Sequence, residues 1–143
     1  MRVGVISDTH GLLRPAALAA LRGCDHVLHA GDVGDQAVLT ALAALAPLTA
    51  VRGNNDHGWR LPEHVDLTLA GHAIHLVHDV AQARPGGAHV VVAGHSHQPR
   101  NELVRGVLWF NPGSAGPRRF KLPIAVGILH LGEQVRGEIV ILG

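Results

Sequence analysis

Runs of aliphatic and β-branched residues alternate with Ala/Leu-rich segments along the first third of the chain. The runs at 2–7, 26–30 and 48–52 have the length and composition of short buried strands. The two segments that lie between them, 15–21 and 35–46, have helical composition; the first starts with proline and the second with an acidic cap residue. This alternation predicts parallel strands that are joined by helical crossovers.

The second half of the chain is predicted to consist mainly of strands. Segments 65–69 and 73–78 flank a short Ala-Gly-His turn and predict a β-hairpin. An apolar run at 89–93 predicts a further strand. Four more strands are predicted, at 103–105, 107–110, 124–131 and 135–142. Together these segments predict a β-rich, largely antiparallel second layer.

The composition is that of one globular domain with an aliphatic core. The chain has 143 residues, of which 47% are hydrophobic and 16% are charged, while aromatic residues make up only 3%. The formal net charge is +1 and no polybasic run is present, so neither nucleic acid nor an anionic membrane is indicated as a partner. The sequence leaves the oligomeric state open, and a homo-oligomer is compatible with it.

The expected location of the protein is the cytoplasm. Cys24 is the only cysteine, which excludes an intramolecular disulfide and a multi-thiolate metal site. The first apolar run is too short for a signal peptide, and no segment approaches the length of a membrane span.

Polar clusters follow the predicted strands, where open α/β sheets place their sites. The clusters are Asp8-Thr9-His10, Gly31-Asp32, Gly53-Asn54-Asn55-Asp56, His78-Asp79 and Gly94-His95-Ser96-His97. Carboxylate, imidazole and amide oxygen ligands suit divalent ions such as Mn²⁺, Fe²⁺, Ni²⁺ or Zn²⁺. An Asp-x-His or His-x-His motif in extended conformation would place both side chains on the same side of the strand. The chain holds twelve histidines, a number that a purely structural protein has little reason to retain.

These motifs, together with Asn111-Pro112-Gly113-Ser114, resemble those of the calcineurin-like metallophosphoesterases. The resemblance is strongest to the compact branch of small bacterial and archaeal phosphodiesterases related to Vps29, and it covers nearly the whole chain. It implies an α/β fold of the α+β type, a two-layer β-sandwich of mixed sheets flanked by helices, with residues 1–143 as a single domain.

The resemblance also implies a centre with two divalent metal ions, Mn²⁺ being favoured. One metal would be held by Asp8, His10 and His97, and the other by Asn54, His78 and His95, with Asp32 bridging the two. Such metals lie roughly 3.5–4 Å apart, and a hydroxide shared by both acts as the nucleophile. The implied activity is hydrolysis of a small phosphate ester or nucleotide, with a diester favoured over a monoester.

Three positions depart from the pattern of the family. Asn55 occupies the place of a histidine that contacts the phosphate or assists the leaving group, and an amide cannot deliver a proton. We therefore expect slower chemistry that favours good leaving groups, with Asn55 and Asp56 as candidate catalytic residues. Asp79 replaces a glycine beside His78, and the segment 80–88 is shorter than the helical connection of the relatives.

Other polar residues near these motifs have a structural interpretation as well. His29 is interpreted as a core residue in preference to a support for the site, and His75 as a packed or solvent-facing residue. Asp56 and His57 fit an ordinary turn as well as a supporting role.

The alternative function is a metal-binding scaffold for protein interactions with little or no catalysis. Asn55 and Asp79 motivate this alternative, whereas the complete set of seven ligands favours the enzyme.

Overall fold

The computed structural model describes residues 1–56 and 59–143, so the prediction for His57 lies outside the described residues. The helices are α1 (Pro15–Leu21), α2 (Gln36–Ala43) and a short 3₁₀ helix (Val80–Gln82). The strands of the first half are β1 (Arg2–Ile6), β2 (His26–His29) and β3 (Leu48–Ala50). The later strands are β4 (His64–Leu69), β5 (His72–Val77), β6 (Val90–Val92), β7 (Arg100–Val104), β8 (Val107–Asn111), β9 (Ala125–Leu131) and β10 (Val135–Ile141).

Two five-stranded mixed sheets pack face to face, and the helices cover the outer face of the first. The first sheet has the order β10-β9-β1-β2-β3 and the second β4-β5-β6-β8-β7. β1 pairs in parallel with β2, and β2 with β3, as the strand–helix alternation predicted. The predicted sandwich of mixed sheets flanked by helices is confirmed.

The prediction for the last two strands is wrong in one respect. β9 and β10 do not belong to the second layer: β9 pairs antiparallel with β1 and extends the first sheet. Nor is the second sheet largely antiparallel, because β6 pairs in parallel with both β5 and β8. The apolar run of β9 is buried on both faces, so it fits a strand between two layers; a sequence does not show which free edge such a strand joins.

Strand alternation divides the core in two. In β1, Val3 and Val5 face the second sheet, whereas Ile6 faces the helices together with Leu21 of α1. Asp35 caps α2 by accepting a hydrogen bond from the backbone N–H of Ala37 at 2.9 Å. The two sheets therefore form a rigid base, and the loops after β1, β2, β3, β5 and β6 carry the polar clusters.

The close contact between the sheets depends on a glycine in β9. Phe110 of β8 is 2% exposed, and its ring occupies the space that a Cβ at Gly127 would take, 2.4 Å from that position. A glycine inside a strand permits such an approach. The scarcity of aromatic residues makes this ring the largest fully buried side chain among the described residues.

We expect Gly127→Ala to lower the free energy of unfolding by about 1–3 kcal/mol, because the methyl group must displace the Phe110 ring. Chemical denaturation measures the change. Gly87→Ala is the matched control, since nothing lies within 4 Å of its Cβ position. Equal stability of the two variants would contradict this account of the packing.

Candidate metal centre

The predicted ligands lie together at one edge of the sandwich, where backbone hydrogen bonds connect their loops. The N–H of Asp8 donates to the carbonyl of Gly31 at 3.0 Å, and the N–H of His10 donates to the carbonyl of Asp32 at 2.9 Å. The N–H of Gly94 donates to the carbonyl of His78 at 2.9 Å. The loops after β1 and β2, and those after β5 and β6, are thus fixed to each other.

A first group of possible ligands consists of Asp8, His10 and His97, with one ligand atom of each within 4.8 Å of the others. His97 Nε2 is 3.5 Å from Asp8 Oδ1, and the rings of His10 and His97 are 5.5 Å apart. Asp8 Oδ1, His10 Nε2 and His97 Nδ1 are buried and have no hydrogen-bond partner among the described residues. Buried polar atoms are normally paired, so unpaired atoms of this kind fit the role of cation ligands.

A second group consists of Asp8, Asp32 and His78, and Asn54 is directly beside it. His78 Nδ1 donates to the carbonyl of Ala30 at 2.7 Å, so Nε2 is the ring nitrogen that faces the other groups. That nitrogen is 3.3 Å from Asp32 Oδ2 and 3.0 Å from the Asn54 amide. Carboxylate, imidazole and amide groups therefore converge on one point, as in a cation site.

His95 completes the set from the solvent side. Its ring is 5.1 Å from the ring of His78, and its side chain is 45% exposed. Its backbone N–H donates to Asp8 Oδ2 at 3.1 Å, which connects the loop after β6 to the first group. The structure thus brings all seven predicted ligands to one place.

The charges in the two groups are interdependent. Burial raises the pKa of Asp8 and lowers that of His97. Burial also opposes ionisation of Asp32, but hydrogen bonds from His78 and a backbone N–H hold its pKa well below the ordinary value. Burial would lower the pKa of His78, yet its bonds to Asp32 and to a carbonyl raise it overall.

The ligands converge through a different backbone conformation from the predicted one. Asp8, His10, Asp32, His95 and His97 all have positive φ, between 46° and 68°. The expected extended Asp-x-His and His-x-His geometry is therefore wrong: each motif turns in the left-handed region. Asp, Asn and His enter this region more readily than other non-glycine residues, and such conformations concentrate at functional sites.

Glycines before the ligands allow the loops to approach closely. A Cβ at Gly53 would lie 2.1 Å from Asp32 Oδ1, and one at Gly94 would lie 2.9 Å from Asp8 Oδ2. These positions therefore exclude any side chain.

Asp56 binds the backbone of two ligand loops. It is fully buried, and its carboxylate accepts hydrogen bonds from the N–H groups of Val33, Gly34 and Gly53 at 2.9–3.3 Å. The hydrogen-bonding capacity of the Asp56 carboxylate is used within the protein, which gives this residue a positioning role. Its direct participation in catalysis stays a prediction.

Asn55 also uses its hydrogen-bond donors within the protein. Its backbone N–H donates to Asp32 Oδ1 at 2.9 Å and its side-chain amide donates to Asp32 Oδ2 at 3.2 Å. The residue in the histidine position therefore orients Asp32 in this structure.

His29 lies beneath the site and joins two of its loops. It is fully buried, and burial lowers its pKa to about 4, so the ring is neutral. Nδ1 accepts from the N–H of Gly31 at 3.1 Å, which leaves Nε2–H to donate to Thr9 Oγ1 at 3.0 Å. The burial of His29 agrees with its interpretation as a core residue, and the structure adds its contacts with Gly31 and Thr9.

The turn at 111–114 supports the site from the other side. The Asn111 side chain donates to the carbonyl of Gly94 at 2.9 Å, and the Ser114 hydroxyl donates to the carbonyl of Asp8 at 3.1 Å. Arg118 and Arg119 are exposed.

A further His/Asp group lies on the second sheet, where His64 and Asp66 of β4 face His75 of β5. His75 is 2% exposed, donates to Asp66 at 2.7 Å and accepts from the N–H of Arg84 at 3.2 Å. Both ring nitrogens are satisfied, which is the arrangement of a structural histidine.

A polar cavity of about 470 Å³ opens beside the ligands. It is lined by Arg52, Gly53, Asn54, Glu63, His78, Asp79, Gln82 and His95. Sequence reasoning missed three of these residues, Arg52, Glu63 and Gln82. Only Arg52 carried a signal, because it directly precedes a ligand motif; the other two reach the cavity through the tertiary fold.

Comparison with known proteins agrees with this geometry. Residues 1–134 match the family model of the calcineurin-like phosphoesterase superfamily domain. A probable metallophosphoesterase of Methanothermobacter thermautotrophicus is 32% identical over 161 aligned positions, which cover 100% of this chain and 94% of that protein.

Two solved structures are similar in fold. Vps29 of Entamoeba histolytica complexed with Zn²⁺ has a TM-score of 0.76 at 24% identity and is covered over 100% of both chains. An archaeal phosphodiesterase has a TM-score of 0.78 at 23% identity, with 98% of this chain and 100% of that chain covered. At these identities the likeness concerns the fold.

Among the described residues, no helix is long and apolar enough to span a membrane.

The family model covers nearly the whole chain, and the archaeal relative exceeds 30% identity along all of it. The chain therefore belongs to the calcineurin-like phosphoesterase superfamily.

Proposed function

We propose that this protein is a phosphodiesterase that uses two divalent metal ions to hydrolyse a small phosphate ester. The observation that carries the proposal is the convergence of buried acceptors, with Asp8 common to both groups and no hydrogen-bond partner for Asp8 Oδ1 or His10 Nε2. The family implies divalent metals, and the donors present fit them.

In the proposed assignment, Asp8, His10 and His97 hold one ion, Asn54, His78 and His95 hold the other, and Asp32 bridges them. Asp32 supports this role because its carboxylate is 3.3 Å from His78 Nε2 and 3.7 Å from His10 Nε2, one member of each set. Mn²⁺ suits the mixture of carboxylate, imidazole and amide, and Fe²⁺, Ni²⁺ and Zn²⁺ are the other candidates.

When bound, the ions would supply an activated water and neutralise charge on the phosphate. The chain's own groups fix the geometry for this chemistry. Asn55 orients both oxygens of Asp32, and Asp56 holds the loops of Asp32 and Asn54 in place. His95 is an exposed ligand in this assignment and lines the polar cavity, so a substrate would approach from that side.

The preference for a diester rests on the residue in the histidine position. Asn55 has no proton to give to a leaving group, and its amide is already bonded to Asp32. Esters with good leaving groups are therefore the favoured substrates. The phosphodiesterase named among the structural neighbours has the same fold, which is compatible with this preference.

The cytoplasmic location and the single-domain boundary of 1–143 stay predictions.

A second candidate function is a metal-binding scaffold for protein partners. Two observations favour the scaffold function over that of a fast enzyme. These are the likeness to Vps29 in fold and the hydrogen bond from the Asn55 amide to Asp32. The two functions share the metal site and differ in turnover, so the same protein sample can separate them.

Metal binding should be near two ions per chain after loading with Mn²⁺ and gel filtration. Each ion at about 100 times its dissociation constant stabilises a protein by roughly 2.7 kcal/mol, so two ions that bind independently raise the melting temperature of a chain of this size by about 16 °C. Elemental analysis and a thermal melt measure both effects. His97→Ala should lose one ion and much of the shift, whereas the control His130→Ala, whose ring pairs with Glu138, should keep both.

Hydrolysis of bis(p-nitrophenyl) phosphate should require added metal. Asp8→Ala should reduce kcat/KM at least about 100-fold, because Asp8 belongs to both ligand groups. His130→Ala again serves as the control. A protein that binds two ions and turns over no ester across a panel of metals would reject the enzyme and favour the scaffold.

Asp56→Asn should destabilise the protein by about 2–4 kcal/mol, because an amide places hydrogens against the three backbone donors that the carboxylate now accepts. Metal affinity should fall about 10- to 100-fold. Denaturation and metal titration provide the readouts. Asp35→Asn is the control, because asparagine caps a helix as well as aspartate; equal effects of the two substitutions would refute the positioning role.

A further inference from the structure

The cavity beside the ligands has an uneven distribution of charge. Among the described residues, and outside the proposed ligands, the lining holds one guanidinium, from Arg52, and two carboxylates, from Glu63 and Asp79. Gln82 is the other side chain that is not a ligand, and it is uncharged. Each of these lining side chains carries a polar or charged group, so the cavity suits a polar ligand.

The single positive charge is already neutralised. Arg52 Nη2 is 2.6 Å from Glu63 Oε1, and the backbone N–H of Arg52 donates to the carbonyl of Pro62 at 2.8 Å. The second contact holds the segment that carries Glu63 against the loop that carries the ligand Asn54. The excess charge of the rim is therefore the carboxylate of Asp79.

Asp79 is held close to the ligands by local contacts. Its Oδ1 accepts from the N–H of Ala81 at 3.0 Å and so caps the 3₁₀ helix. Its Oδ2 is 4.0 Å from Nε2 of His95. This carboxylate is thus fixed beside a proposed ligand atom, on the side where the cavity opens.

We propose that Asp79, with a smaller contribution from Glu63, makes the site select monoanionic phosphodiesters over dianionic monoesters. The inference rests on the proposed function and deepens it. A diester carries one negative charge, whereas a monoester near pH 8 carries two, because its second ionisation occurs near pH 6. The second charge of a monoester would face the fixed carboxylate, and charges at this separation repel unless water or salt screens them.

The position of Asp79 explains why the effect should be larger there than at Glu63. The Asp79 side chain is 34% exposed and has no cationic partner in the lining, whereas that of Glu63 is 75% exposed and paired with Arg52. Solvent screens the exposed and paired carboxylate more strongly. Asp79 therefore acts as a specificity residue through charge, without contacting the reacting atoms.

The test compares two esters that share one leaving group, bis(p-nitrophenyl) phosphate and p-nitrophenyl phosphate, at pH 8 with equal metal content verified in each variant. Asp79→Asn should lower the diester-to-monoester ratio of kcat/KM about three- to tenfold, mainly through a lower KM for the monoester. Asparagine retains the cap on Ala81, so the local fold is kept. Glu63→Gln should shift the ratio in the same direction and by less.

The controls carry the same chemical changes at residues that do not line this cavity. Asp25→Asn alters a carboxylate that accepts a backbone hydrogen bond from Arg2, and Glu102→Gln alters a surface Arg–Glu pair with a separation of 2.9 Å. Both should leave the ratio within twofold of the parent. The shift in Asp79→Asn should also shrink between 20 mM and 500 mM salt, since an electrostatic effect is screened.

A binding measurement separates this inference from the proposed function. Titration of the metal-loaded protein with inorganic phosphate and with dimethyl phosphate compares a dianion with a monoanion without any turnover. Asp79→Asn should tighten phosphate binding three- to tenfold and leave dimethyl phosphate within twofold. If the protein hydrolyses neither ester, the proposed function fails while the titration still decides the charge preference; an unchanged binding ratio in Asp79→Asn overturns the inference, whatever the activity.

Discussion

The crowding of buried carboxylate and imidazole groups at one edge of the sandwich is the constraint on which the site depends. Two carboxylates and a ring nitrogen, from Asp8, Asp32 and His78, lie within 4.8 Å of one another, and His97 and His10 lie beside them. Burying such a group costs free energy, which a bound cation would offset. The fold must therefore hold these groups together against the cost of their burial, and the surrounding structure can be understood as the means of doing so.

Three kinds of restraint hold these groups together. The parallel pairing of β1 with β2 brings two ligand loops side by side, and backbone hydrogen bonds continue past the ends of the strands. Beneath them, neutral His29 joins the loops through Thr9 and Gly31. On the opposite side, the carboxylate of Asp56 binds the backbone near Asp32 and Asn54. Buried hydrogen bonds of this kind fix loops more firmly than contacts on the surface do.

The resemblance of the motifs predicted the sandwich, and the polar clusters after the strands predicted that the ligands lie together; motifs and strand ends are local signals that do not depend on how distant segments meet. The sequence failed where pairing is non-local: the apolar pattern of β9 shows burial on two faces and does not show that β1 is the neighbour. The same reason hid Glu63, whose segment is held beside the cavity by contacts with Arg52. The backbone conformation of the Asp-x-His and His-x-His motifs was also predicted wrongly, because an extended strand was assumed where the chain turns with positive φ.

The left-handed conformation of five ligand residues also restricts how this site can change over time. Residues other than Asn, Asp, His and Gly are strained in that region, so substitution at Asp8, His10, Asp32, His95 or His97 is limited by the backbone as well as by the proposed metal binding. A lineage that gives up its ions would still be under pressure to retain these residue types. In such a lineage, a ligand-like sequence would persist as a record of turn geometry after the chemistry had been lost.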